Sequence, residues 1–179
     1  MTSIIIIITL FAIVTPVLLI KGTKVVQQNE VMIVERLGQY TGTLQPGLHL
    51  IIPVIDQARA IPWQFIETDK QGNKSCVIRK TETIPLSENF FYLLKHSVVT
   101  KNNYKIELDV IVSYNVVDPL MLVYNIASLP MAFERTIDHT LGDLDLQDVN
   151  AATLLKILRK ETEKFGIKIN DVDVKNVKY

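Results

Sequence analysis

The chain has 179 residues, 48% of them hydrophobic, and its 19 Lys and Arg balance 19 Asp and Glu, so the formal net charge is zero. That length accommodates one domain with a proper core and not readily two. The lack of a basic surplus argues against nucleic acid as the main partner, and a single cysteine, Cys76, excludes an intramolecular disulfide.

The hydrophobicity is concentrated at the start. Ile4 to Ile20 is seventeen residues without a charge, thirteen of them Ile, Leu, Val or Phe. As a helix it rises about 26 Å, close to a hydrocarbon core of roughly 30 Å. The stretch reads as a retained single-pass anchor over residues 1–22, with Ile4, Ile8, Phe11, Val14, Leu18 and Ile20 among its lipid-facing residues. The alternative is a cleaved signal peptide on an exported soluble binding domain. Such a peptide calls for a basic start and a small-residue cleavage site, whereas MTS is uncharged and KGTK follows the apolar run directly. Lys21, Lys24 and Arg36 put the nearby positive charge after the helix, which favours an outside N-terminus and a cytoplasmic domain. A shortened chain beginning near Gln27 is expected to be soluble.

From Val25 to Arg36 the chain reads as one strand rich in Val and Ile, followed by turn positions at Gly38 and Gly42 around Tyr40. Gln45-Pro46-Gly47 suits a tight turn, and LHLIIP is a short strand that Pro53 ends. A further strand runs from about Ala60 to Thr68, with Gly72-Asn73 as a turn after it. Beyond that, strands interrupted by a hairpin or helical turn near Phe90 to Leu94 are predicted. Tyr104 to Val116 carries apolar residues at every even position, so one face packs and the other, with Asp109, is largely solvated.

Helices follow. Asp118 and Pro119 are a plausible cap and first position for a helix to Ile126. Ser128-Leu129-Pro130 opens another that aligns Phe133, Ile137 and Leu141 until Gly142. A third runs from Asn150 or Ala151 to Phe165, aligning Ala151, Leu154, Leu155, Leu158 and Phe165, and ends at Gly166. An alternating strand closes the chain. Strands first, helices later and a last strand make the fold class α+β rather than a doubly wound sheet.

The residues carry no visible active site. His49, His96 and His139 lack metal-ligand spacing, Gly38 and Gly42 do not form a phosphate loop, and Cys76 has no adjacent helix start to activate it. The expectation is a non-enzyme with no metal and no cofactor.

The stretch VVQQNEVMIVERLGQYTGTLQPGLHLIIPVID, behind an apolar anchor, closely resembles the start of the SPFH or Band 7 domain of the stomatin, prohibitin and flotillin group. Its bacterial stomatin-like (slipin) branch fits best. The family's pattern is matched by Val34, Arg36, Gly38, Tyr40, Leu44, Pro46, Gly47, Pro53 and Asp56. SVVTKNNYKIELDVIVSYNVVDP, Leu144-Asp145-Leu146 before Val149, and KFGIKINDVDVKNV extend the match over most of residues 24–178. The resemblance implies residues 23–179 as one such domain, a curved, mainly antiparallel sheet followed by helices and a final strand. It implies an oligomeric scaffold on membrane lipid that organises microdomains and modulates membrane proteins, with an NfeD-type membrane protein or an AAA+ membrane protease as partner classes. Three departures stand out: a longer segment between Asp56 and Ser97, a shortened helical turn at Gly142-Asp143, and a stop at Tyr179 where the family continues into a long coiled coil. Without that coil, association falls to the anchor and to domain faces. The charged side of the third helix, Lys156, Arg159, Lys160 and Glu163, is a candidate oligomer contact, one that high salt or Arg159→Glu should weaken.

Overall fold

A computed structural model of the chain describes residues 11–12, 15–16, 20–68, 74–144 and 150–178. Of the expected anchor residues, Phe11 and Ile20 are described, both helical and exposed, while Ile4, Ile8, Val14 and Leu18 lie outside the described residues. Among the described residues no helix is long and apolar enough to cross a membrane. The Gly72-Asn73 turn and most of the 144–149 motif also fall outside. The chain divides into two compact units, one up to Arg59 and the other from Ala60.

In the first unit, β1 (Thr23–Val26) pairs antiparallel with β4 (Gly47–Leu50). β2 (Glu30–Arg36) lies between β3 (Gln39–Leu44) and β5 (Asp56–Ala58), antiparallel to both. The single strand expected from Val25 to Arg36 is therefore two. The break is local: Asn29 takes φ 62° and the Glu30 amide donates to the Gln27 carbonyl at 3.2 Å, making a tight turn. Asn tolerates that left-handed conformation better than most residues. β4 stops at Leu50, before the expected end at Pro53, and residues 53–55 form a turn. Val26, Met32 and Ala58 make a small core against which Leu44 packs.

In the second unit β6 (Ile61–Thr68) pairs antiparallel with β7 (Lys74–Thr81). After β8 (Thr83–Pro85) come β9 (Asn89–Val99) and β10 (Lys105–Val116). The closing strand β11 (Ile167–Lys178) returns to β10, giving the antiparallel order β11-β10-β9. Hydrogen bonding thus divides the strands among several antiparallel sheets, where one curved sheet was expected. Phe90 to Leu94, read as a turn, lies inside β9 and pairs with β10. Gln64 of β6 also meets this strand, through the backbone of Tyr92.

The alternation of β10 holds. Ile106, Leu108, Val110, Val112, Tyr114 and Val116 are all buried, whereas Tyr104 lies outside the strand and is exposed. Helices α1 (Pro119–Asn125), α2 (Leu129–Asp143) and α3 (Ala151–Thr162) follow, with a 3-10 turn from Glu163 to Phe165. The Asp118 carboxylate caps α1 by accepting from the amides of Leu120 and Met121 at 2.9 and 3.0 Å, and Asn150 caps α3 through the Thr153 amide at 2.8 Å. α2 buries Phe133, Ile137 and Leu141, and α3 buries Leu154 and Leu158. The Phe133 ring lies 5.1 Å from both Phe91 and Tyr114, and Tyr114 lies 6.2 Å from Trp63, so one aromatic cluster ties α2 to β9, β10 and β6. Burial pushes the Tyr114 hydroxyl far above its ordinary pKa, which keeps it neutral at any physiological pH.

Candidate functional site

Of the expected family-pattern residues, Arg36, Gly38 and Asp56 lie together where β2 ends, whereas Pro46 and Gly47 follow Leu44 at the opposite end of the β2–β3 hairpin. Arg36 ends β2 directly opposite Asp56, the first residue of β5. The guanidinium donates from Nε to Oδ1 at 2.7 Å and from its second nitrogen to Oδ2 at 3.1 Å. The Ile52 amide adds a third bond to Oδ2 at 3.0 Å. These donors hold the Asp56 carboxyl below the usual carboxylate range, the Arg36 bond contributing most, and the same bond raises Arg36. Asp56 is buried, and this pairing explains how a carboxylate sits there. The sequence placed both residues in one motif without pairing them; the antiparallel register of β2 and β5 supplies the contact.

The clamp fixes two adjoining turns. Leu37 and Gly38, at φ 51° and 83°, form the two-residue link between β2 and β3, in which both positions are left-handed. The Leu37 amide donates to the Ile55 carbonyl at 3.0 Å, joining this link to the 53–55 turn. Leu37 is 80% exposed and Val54 77% exposed. A bulky apolar residue is an unfavourable choice at a left-handed position, and here its side chain points at solvent rather than into a core. Tyr40 is half-exposed and shares a hydrogen bond with Thr43 at 3.1 Å. Pro46 and Gly47 open β4, where the His49 ring bonds the Gln45 carbonyl at 2.7 Å.

The β1–β4 ribbon extends the apolar edge. Val25 faces Leu48, and Thr23 faces Leu50, so these four side chains share one face. Val25, Leu48 and Leu50 are exposed on it, and Ile52 is exposed just beyond. The sequence reasoning missed this row, although the period-two spacing of Leu48 and Leu50 was a usable signal. Gly22 brings the end of the N-terminal segment to the same place. Its carbonyl accepts from the Ile51 amide at 2.8 Å, and a Cβ at Gly22 would sit 2.3 Å from the Ile51 carbonyl oxygen. Only glycine allows that approach.

The expected oligomer contact lies on the second unit. Lys156, Arg159, Lys160 and Glu163 share a shallow depression of about 370 Å³ on the outer side of α3. Arg159 also braces its own unit, donating to the carbonyls of Ile169 and Asn170 at 3.0 and 2.8 Å. His96 pairs with Asp138, and His139 with Asp143 at 3.1 Å. Among the described residues no group of three metal-ligating side chains converges.

The first unit thus presents an ion-paired turn with exposed aliphatic residues beside it. The chain belongs to the SPFH domain / Band 7 family, whose match runs over residues 24–179. A stomatin homolog of Pyrococcus horikoshii is 24% identical over 171 residues, covering 90% of this chain and 56% of that protein. Uncharacterised proteins of Methanothermobacter thermautotrophicus and Methanocaldococcus jannaschii are 27% and 26% identical, over 46% and 74% of their lengths. The chain thus spans from about half to three quarters of these relatives.

Proposed function

We propose that the chain is a membrane-attached subunit of a self-associating scaffold, of the stomatin-like kind. Residues 1–22 insert as a single anchor and residues 23–179 form the SPFH domain on the cytoplasmic side. The role of such a subunit is to hold and space membrane proteins laterally, with an NfeD-type membrane protein or an AAA+ membrane protease as the classes of client. It needs shape and adhesion and no catalytic group.

The observation that carries this reading is the row of exposed aliphatic side chains on the first unit: Val25, Leu37, Leu48, Leu50, Ile52 and Val54. Exposed apolar side chains grouped in neighbouring strands and turns favour a contact site, and Gly22, at the end of the uncharged N-terminal run, bonds Ile51 between exposed Leu50 and Ile52. Lipid at the headgroup boundary suits it, because apolar side chains enter there while Lys21 and Lys24 stay with the phosphates.

The test has two arms. Full-length protein should sediment with membranes and resist high-salt and carbonate washing; release by salt alone would contradict the anchor, and a mature N-terminus near Lys21 would favour export. A fluorophore on Val54→Cys, in a Cys76→Ser background, should be quenched by lipid-borne quenchers in reconstituted vesicles. The same probe on exposed Met131→Cys should not be quenched. Equal quenching at both positions would remove the lipid-facing edge from the proposal.

A further inference from the structure

Among the described residues no strand pairs with the outer edge of β11, which is the end strand of the order β11-β10-β9. An open edge offers unpaired amides and carbonyls to another strand. Part of this one is blocked. Arg159 occupies the carbonyls of Ile169 and Asn170, and Asn176, at φ 53° with its amide on Asp109, bends the strand at the other end. Between them lies the open stretch Asp171 to Lys175, whose inward residues Val172 and Val174 face Val112 and Val110.

We propose that the Asp173–Lys175 end of this stretch pairs antiparallel with the same segment of a second copy, centred on Val174. Charge selects that register. Asp171, Asp173 and Lys175 alternate along the face of β11 that turns away from the core, and Asp173 and Lys175 are about half exposed. A pairing that keeps the valines on the core face can slide only in steps that preserve the alternation of faces. Centring on Val172 sets Asp171 against Asp173. Centring on residue 175 opposes two Lys175 side chains, and centring on residue 173 opposes two Asp173 side chains at its middle, although it also sets Asp171 against Lys175 twice. Centring on Val174 places each Asp173 opposite the other copy's Lys175, twice, with no like charges opposed. The two three-stranded sheets then become one six-stranded sheet, both helical layers on the same side. The contact is short, so it is weak in dilute solution and effective where membrane attachment confines the copies.

This inference rests on the self-association in the proposed function, and one experiment separates the two. Two differently tagged full-length chains are co-expressed, membranes are dissolved in mild detergent, one tag is captured and the other is quantified. Wild-type chains should co-capture; if they do not, the self-association reading itself fails. With Asp173→Lys in both chains, Lys meets Lys; with Lys175→Asp in both, Asp meets Asp. Either self-pair should capture about threefold to tenfold less. Asp173→Lys in one chain and Lys175→Asp in the other restores two opposite pairs across the contact, and capture should return to the wild-type level. The Asp173–Lys175 ion pair within one chain is 2.7 Å long, and both variants break it, so a purely internal role cannot give recovery in the mixed pair. Undiminished capture by the self-pairs, or no recovery in the mixed pair, overturns the proposal.

Discussion

The side-chain amide of Gln64, on β6, stands in for a neighbouring strand at Tyr92 on β9: it donates to the Tyr92 carbonyl at 2.9 Å and accepts from the Tyr92 amide at 2.8 Å. Both groups are part-buried, so losing the amide leaves a donor and an acceptor without partners. Gln64→Ala should lower stability by about 1–3 kcal/mol and speed hydrogen exchange at the Tyr92 amide. Gln64→Glu should do no better, because a carboxylate then faces the Tyr92 carbonyl. Wild-type exchange at Tyr92 in the alanine variant would show the clasp to be incidental.

Val110 and Asp109 are adjacent on β10 and test the inward face. Val110 is fully buried, so Val110→Asp should cost several kcal/mol, on the order of an unpaired buried charge. The sequence suggests that Asp109→Asn is silent, but the structure corrects this. Asp109 accepts from the Lys95 amide and from the Asn176 side chain, both at 2.6 Å, at positions where Lys95 and Asn176 have left-handed backbones. Asp109→Asn should therefore cost about 1 kcal/mol, read as a shifted midpoint in urea unfolding.

Acid should loosen the first unit through Asp56. Its folded pKa is depressed by Arg36 and the Ile52 amide, so the folded state binds this proton less readily than the unfolded one. The stability it contributes is fully present above the unfolded carboxylate value of about 4 and is lost as pH falls through the folded value. Asp56→Asn should lower the melting temperature at neutral pH and flatten its decline below about pH 4. The decline will not vanish, since Glu88, bonded by Ser113 and Asn170, is depressed as well. Equal slopes for variant and wild type would rule out the Asp56 contribution.

Arg159→Glu is a poor probe of assembly because Arg159 holds two β11 carbonyls. It should reduce stability by about 1 kcal/mol whether or not subunits meet there. Lys156→Glu and Lys160→Glu, exposed on the same face, should leave the melting temperature within about 2 °C. If that face is an oligomer contact, these two variants weaken crosslinking in membranes; if only Arg159→Glu does, the effect is internal.

These cases show where the sequence was legible. Helix starts were, because Asp118-Pro119 and Asn150 carry their capping chemistry within a few residues. So was β10, whose alternation records burial on one face. The break at Asn29 and the strand through Phe90 to Leu94 were not. One depends on a single left-handed residue, the other on a partner far along the chain. The Arg36–Asp56 clamp lay in plain view as two motif residues, yet their meeting depends on a strand register that no local pattern encodes. The exposed aliphatic row was hidden for another reason: Val, Leu and Ile in a short strand ordinarily signal a core, and nothing in their identity says which face is left open.

The pairing of β1 with β4 also decides where the chain can be cut. A start near Gln27 removes all of β1, strips β4 of its partner, and takes Val26 out of the core it shares with Met32 and Ala58. What remains presents a raw strand edge beside a hollowed core, the combination that drives aggregation. Beginning instead at Lys21 retains Gly22 and its bond to Ile51 while discarding the apolar run. The solubility expected of a shorter chain therefore belongs to that cut, and the six residues between the two starts separate a folded first unit from a sticky remnant.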